Sequence, residues 1–318
     1  MYKFYIHSLI HRRFVSMLLV AALTTTAAYA QQQAMFTQYM FNGLALNPAY
    51  AGSHEAISLT ALGREQWSGL PGSPSTQTFA AHAPLRFSRA SVGLLLSRDD
   101  QDVSRQHGVF ASYAYRIPVA KGQLALGLQG GFTQARTALT SLQIVTPGDA
   151  PDPTFGQDLN TGLLPNIGAG LYYHTERFYL GLSVPQLIDH QLEQEGALTE
   201  QAQLVRHYFL TGGYVFDLNP SLKFKPNFLI KSVPGAPVEA DFNANLLIRE
   251  TLWVGLGYRS FDALNALVQL QISPALAVGY AYDYTVSGLR EVQSGSHELM
   301  LNYTIRLSKE SVLSPRYF

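Results

Sequence analysis

Val238-Glu239-Ala240-Asp241-Phe242-Asn243-Ala244-Asn245-Leu246-Leu247-Ile248-Arg249 alternates with a period of two. Val238, Ala240, Phe242, Ala244, Leu246 and Ile248 share one phase. Glu239, Asp241, Asn243, Asn245, Leu247 and Arg249 share the other. Successive side chains of a strand point to opposite faces, so the pattern predicts a strand with one apolar and one mostly polar face. The same rhythm runs through Ala275–Tyr284, where Leu276, Val278, Tyr280, Tyr282 and Tyr284 oppose Ala275, Ala277, Gly279, Ala281 and Asp283. It returns in 298–307, with Leu299, Leu301, Tyr303, Ile305 and Leu307 against Glu298, Met300, Asn302, Thr304 and Arg306, and in 109–117. Each run is about ten residues long, the length a tilted strand needs to cross a bilayer.

Fourteen such segments are expected, at 54–66, 75–85, 89–98, 106–117, 122–136, 163–174, 177–185, 205–217, 221–232, 237–249, 251–260, 264–273, 275–286 and 297–308. Their connections sort by length. Arg86-Phe87-Ser88, Pro118 to Lys121, Thr175-Glu176, Leu218-Asn219-Pro220, Glu250 and Pro274 are tight. Ser68 to Pro74, Asp99 to Arg105, Thr137 to Gly162, Gln186 to Leu204 and Ser287 to Ser296 are longer. Short turns at one end and long loops at the other, with apolar faces ending in Tyr and Phe, distinguish a transmembrane antiparallel β-barrel from a soluble sandwich. The expected fold is therefore all-β, with short periplasmic turns, longer extracellular loops, both termini on the periplasmic side and an even strand number.

Composition agrees. The 318 residues are 47% hydrophobic and only 14% charged, against about 25% charged in an ordinary soluble domain. Lys plus Arg and Asp plus Glu balance at 22 each, which leaves no basic footprint for nucleic acid. Cys is absent, excluding disulfides, Cys-based zinc sites and cysteine nucleophiles. No stretch after the leader has about 18 consecutive apolar residues, as a membrane helix would. Residues 1–30 carry Lys3, His11, Arg12 and Arg13, then the short apolar run Phe14 to Leu23, then Ala28 and Ala30 at A-x-A spacing. That is a secretory signal, with cleavage expected after Ala30. The expected divisions are 1–30 signal peptide, 31–52 N-terminal segment and 53–318 barrel.

The 31–52 segment holds Phe36, Tyr39, Phe41 and Tyr50 among polar neighbours, with Asn47-Pro48 turning the chain toward the first strand. Large apolar side chains have to be buried, either in the lumen as a plug or against a periplasmic partner as a docking motif. Glu239, Asp241, Asn243, Asn245, Asp283, Arg259, Glu298 and Arg306 fall on polar phases and are the lumen-facing candidates. Glu239 with Asp241 could be read as a glycosidase pair, but a lumen pair answering Arg249, Arg259 and Arg306 is the favoured reading. Gly127, Gly130 and Gly131 lie within a strand and no Gly-Lys-Ser/Thr follows, so barrel packing outweighs a nucleotide loop. No His pair has helical metal-ligand spacing, and no Gly-x-Ser-x-Gly elbow accompanies a His and an Asp. No catalytic, cofactor or metal residue is assigned. Gln191 to Gln203, with Glu193, Glu195 and Glu200, is either a short acidic helix or a solvated loop.

Several motifs together resemble the PorP/SprF family of type IX secretion system membrane proteins from Bacteroidetes. They are Phe36-Thr37-Gln38-Tyr39-Met40-Phe41-Asn42, Asn47-Pro48-Ala49-Tyr50-Ala51-Gly52 and Arg64-Glu65-Gln66-Trp67 with Gly69. They continue with Pro165-Asn166-Ile167-Gly168, Tyr179-Leu180-Gly181-Leu182-Ser183-Val184-Pro185, Gly279-Tyr280-Ala281-Tyr282-Asp283-Tyr284 and the final Ser314-Pro315-Arg316-Tyr317-Phe318. The resemblance spans the whole chain after the leader. It implies a non-enzymatic outer-membrane barrel supporting export or surface attachment of cargo with C-terminal sorting domains, such as gliding adhesins. Implied partners are outer-membrane lipid, other type IX components and a periplasmic lipoprotein. The competing reading is a passive or substrate-specific channel for small solutes.

Overall fold

The computed structural model describes residues 35–54, 56–86, 88–142, 156–192 and 202–305. The leader, Arg306, the acidic stretch 193–201 and the final five-residue motif lie outside them. Fourteen strands form the wall: β1 (Ile57–Glu65), β2 (Ser75–Pro84), β3 (Ala90–Gln101), β4 (Ser104–Val119), β5 (Gly122–Thr137), β6 (Leu164–His174), β7 (Phe178–Val184), β8 (Tyr208–Tyr214, resuming as Phe216–Asn219), β9 (Leu222–Ser232), β10 (Glu239–Ile248), β11 (Leu252–Arg259), β12 (Ala263–Gln271), β13 (Leu276–Thr285) and β14 (Ser296–Ile305). Each pairs antiparallel with its sequence neighbour, and β1 pairs with β14 from Ile57↔Ile305 to Glu65↔His297, closing the ring.

Polarity is inverted relative to a soluble sheet. Along β10 the buried positions are Asp241, Asn243, Asn245 and Leu247, while Phe242, Leu246 and Ile248 are exposed. Leu256 is 67% exposed and Leu128 64%. Water would penalise such a surface at about 25 cal/mol per Å² of apolar area; lipid removes the penalty. Closure then satisfies the strand N–H and C=O groups that hydrocarbon cannot solvate.

Local departures have physical causes. The expected loop from Asp99 to Arg105 is instead a hairpin extension, with β3 and β4 paired up to Gln101↔Ser104 and Asp102 turning at φ 51°. Asp100 holds it by accepting from Arg98 (2.9 Å) and Arg105 (2.8 Å). Pro118 lies within β4 rather than in the turn, opposite Gln123. β3 begins opposite Tyr115, so the missing N–H of Pro118 falls past the end of β3. Pro226 sits inside β9, and there β8 breaks: pairing stops at Gly213↔Asn227 and resumes at Phe216↔Phe224. Arg249 and Glu250, at φ 52° and 53°, make the two-residue turn between β10 and β11, the left-handed pair that matches hairpin twist.

One rim thus carries only tight turns. The other carries the longer connections, where Asp158 accepts from the Thr140 hydroxyl (2.6 Å) and amide (3.1 Å) and faces Arg136 at 3.4 Å. These donors hold its carboxyl below the usual carboxylate range, the Thr140 hydroxyl first among them.

A charge at a lipid-facing position midway along a strand should be costly. Leu256→Arg is expected to lower unfolding stability in lipid vesicles by about 2–4 kcal/mol, measured by urea titration. A loss no larger than that of Leu256→Ala would mean that this face does not meet hydrocarbon.

Candidate functional site: the occupied lumen

The lumen is filled by the chain's own N-terminal segment. Three short 3-10 turns, Tyr39–Phe41, Gly43–Ala45 and Pro48–Tyr50, crumple it into a compact thread. Asn47 is extended, as the residue before proline prefers. Its Oδ1 accepts from Ala49 N at 2.9 Å and its Nδ2 donates to Leu171 O of β6 at 2.9 Å. Gly43 lies against the Tyr50 ring, where a Cβ would come within 2.6 Å of ring carbon. Phe36, Tyr39, Met40, Leu44, Leu46 and Tyr50 are each at most 6% exposed. Burial of each large side chain is worth about 1.5–3 kcal/mol.

The thread runs from rim to rim. Phe36 and Thr37 stand beside the long-loop ends of β1, β2 and β13. Tyr39 lies at mid-height, its hydroxyl accepting from Asn227 (2.7 Å) and Asn243 (3.2 Å). Gly52 reaches the short-turn end, donating to His82 Nδ1 at 3.0 Å, with Arg116 of β4 donating to Ala51 O. The described chain therefore begins on the long-loop side of the lumen and runs toward the short-turn rim; the termini themselves, expected at the short-turn rim, lie outside the described residues. The strand count stays even because β1 starts and β14 ends at the short-turn rim.

At the upper end the thread is held by a cluster of acidic and basic side chains. Glu298 of β14 accepts from Thr37 N (2.9 Å) and Gln38 N (2.8 Å), one amide per carboxylate oxygen. Asp283 of β13 accepts from the Thr37 hydroxyl at 2.6 Å. Arg64 of β1 bridges Asp283 (2.7 Å) and Glu298 (3.3 Å). Arg259 of β11 bridges Asp283 (3.0 Å) and Asp241 (3.0 Å) and reaches Asp262 at 3.4 Å. Buried charges are tolerable only when paired and hydrogen-bonded, and this set meets that condition by including the thread as a member.

The structure brings Asp241, Arg259, Asp283 and Glu298 together. Asn243 and Asn245 lie below them, Asn245 donating to Asn227 at 2.6 Å. Glu239 stands apart, paired with Lys231 at 2.7 Å. Arg249 is exposed in its turn, so it does not answer the carboxylates. Sequence reasoning missed Arg64, Arg116, Lys225 and Lys231. All four lie on inward phases, so the alternation carried the signal. Lys225 is fully buried, its Nζ 5.5–5.6 Å from the ring centres of Phe41, Tyr179 and Trp253. Cation–π attraction is strongest for such desolvated cations.

Glycines complete the fit. A Cβ on Gly257 would come within 2.0 Å of Asn243 Oδ1 and 2.4 Å of Asn265 Oδ1, and one on Gly279 within 2.1 Å of Gln38 Oε1. The amides fill notches that only glycine leaves. A cavity of about 150 Å³ remains above Phe36, lined by Thr78, Phe110, Gln129, Arg136 and His207 among others. Among the described residues, no group of three or more His, Asp or Glu could hold a metal ion.

Removing one charge should loosen the thread. Arg64→Met leaves Asp283 with Arg259 and takes the guanidinium away from Glu298, and is expected to cost about 3–5 kcal/mol. A cysteine at Met40 should then label with a water-soluble maleimide, while the same cysteine in the wild-type background should not. Equal protection in both would show that the thread does not depend on the cluster.

No curated protein matches the chain. Among solved structures it is similar to the outer membrane protein Omp33 of Acinetobacter baumannii, at 10% identity and TM-score 0.46, covering 80% of this chain and 99% of that one. It is also similar to the CymD monoaromatic hydrocarbon channel (13%, TM-score 0.47, 88% and 96%) and to a deletion mutant of the TodX monoaromatic hydrocarbon channel (11%, TM-score 0.48, 83% and 94%). Likeness at this level carries no argument about what the chain does. The family model for type IX secretion system membrane protein PorP/SprF matches residues 28–303. With so much of its length matched, this outer-membrane β-barrel belongs to the PorP/SprF family of type IX secretion membrane proteins.

Proposed function

We propose that this barrel is a plugged, non-enzymatic anchor that supports export or surface attachment of cargo carrying C-terminal sorting domains, gliding adhesins among them. The supporting observation is the filled lumen. Residues 35–53 bond or pack against strands on every side of the ring, from Glu298 of β14 and Arg64 of β1 to Asn227 of β9 and Leu171 of β6. A solute channel needs a continuous aqueous path. Here its mid-height is occupied by Tyr39, Met40 and Leu44, all nearly inaccessible. The same burial favours the plug over a periplasmic docking motif, because the aromatic residues that would dock already have partners. We assign the tight-turn rim to the periplasm and the long-loop rim to the cell surface. On this assignment a periplasmic lipoprotein meets the tight turns and cargo meets the long loops. Loss of residues 1–30 as a cleaved signal peptide belongs to the same reading.

Planar-bilayer recording tests it. The intact chain is expected to pass little current, and deletion of residues 32–46 to raise conductance to that of an open barrel. In cells lacking the native chain, the intact protein should restore cargo at the surface. A wild-type conductance equal to that of the deletion would favour the solute channel. Normal surface cargo in cells without any copy would remove the secretory role.

A further inference from the structure

The outer wall has a feature that neither closure nor the lumen uses. Across the seam the barrel register aligns Leu299, Gly63, Gln77, Arg98, His107 and Gln134 in one row on β14 and β1 to β5. The next row toward the short-turn rim is Leu301, Ala61, Phe79, Leu96, Val109 and Phe132. The upper row is thus polar over four adjacent strands where the lower one is apolar. Between them lies an open groove of about 610 Å³ on the lipid-facing surface, lined by Leu299, Leu301, Phe79 and Leu96, with Arg98 and His107 at its long-loop end. Ala61 and Gly63 make its floor. A Cβ on Gly63 would meet nothing within 4 Å, so the hollow comes from the absence of a side chain.

Charge is concentrated at that end. Both Arg98 and Arg105 bind the single carboxylate Asp100, at 2.6 and 2.8 Å. Arg98 and Arg105 share that carboxylate, and Glu65 stands two residues above Gly63 on the same outward face of β1, so the guanidiniums are gathered on the β3–β4 side of the groove's end. Arg105 donates to Asp100 through Nε and its side chain is more than half exposed, at the rim between groove and lumen. Guanidinium forks match phosphate oxygens in shape and charge. An apolar groove running into a cationic end has the chemistry of an amphiphile: acyl chain below, anionic group above.

We propose that the groove is a specific site for lipid A, with an acyl chain over Gly63 and Ala61 and a phosphate against Arg98, Arg105 and His107. The proposal rests on the placement of the long-loop rim at the outer leaflet, where the phosphorylated lipid is lipid A. It is independent of the cargo.

The test uses the full chain extracted in mild detergent, washed, and assayed for retained lipid A and phosphatidylglycerol by mass spectrometry. Gly63→Leu fills the groove, and Arg98→Gln with Arg105→Gln removes its charge. Gly130→Leu, another outward position with open space above it, is the control, and heat-modifiable gel mobility confirms folding of every variant. Wild type and control are expected to retain lipid A, and both groove variants to lose it several-fold, with phosphatidylglycerol unchanged. Equal retention in all four proteins would overturn the site. So would retention of phosphatidylglycerol in place of lipid A, which would put this rim in the inner leaflet. Surface cargo, scored separately in cells carrying the same variants, keeps failure of the lipid site distinct from failure of the secretory reading.

Discussion

Backbone amides in hydrocarbon have no water to bond, and the whole architecture depends on that constraint. An open sheet of fourteen strands would leave two unsatisfied edges; joining β1 to β14 leaves none. Closure fixes the rest of the polarity. Outward side chains have to suit lipid, so the groups that read as core residues in a soluble protein, Leu128, Leu256 and Phe242, lie outside. Inward side chains inherit the polar phase, and a ring of Asp, Asn, Arg and Glu surrounds the axis.

A polar tube of this size could be left to water, but this one is filled by its own chain. The filling is mixed because the wall is mixed. Leu44 lies over Gly93, Tyr50 stands edge-on to Tyr172 and His82, Tyr39 meets asparagine amides, and Thr37 and Gln38 offer their amides to Glu298. The upper cluster explains why charges this deeply buried are tolerated. Asp283 and Glu298 each accept from a guanidinium and from the thread, and Asp241 takes the Arg259 Nε on both its oxygens, so each carboxylate faces a cation.

The fold was legible because period two survives in nearly every strand, and because tight turns cluster on alternate connections. What the alternation could not supply was pairing around the ring. Arg64 and Glu298 meet only because the first and last strands are neighbours, a contact between residues 234 positions apart. Local rules also misplaced details. Charge at Asp99 to Arg105 looked like a loop, yet Arg98, Asp100 and Arg105 cross-link a hairpin. Proline looked like a turn marker at Pro118, yet a wall strand that outruns its neighbour can hold one. Pro226 lies inside a wall strand and breaks its partner, with no turn signal around it in the sequence. The direction of the thread was not legible, since nothing in Phe36 to Gly52 says which rim it faces.

That direction ties both ends of the wall to one segment. The described thread runs from the long-loop side of the lumen to the short-turn side, while the last strand supplies the carboxylate that grips its far end. Glu298 and Arg64 meet over Thr37, so the contacts that hold the thread also hold the seam. The barrel is latched by its own contents: wall surrounds the segment, and it cannot be drawn out sideways without unzipping a strand pair.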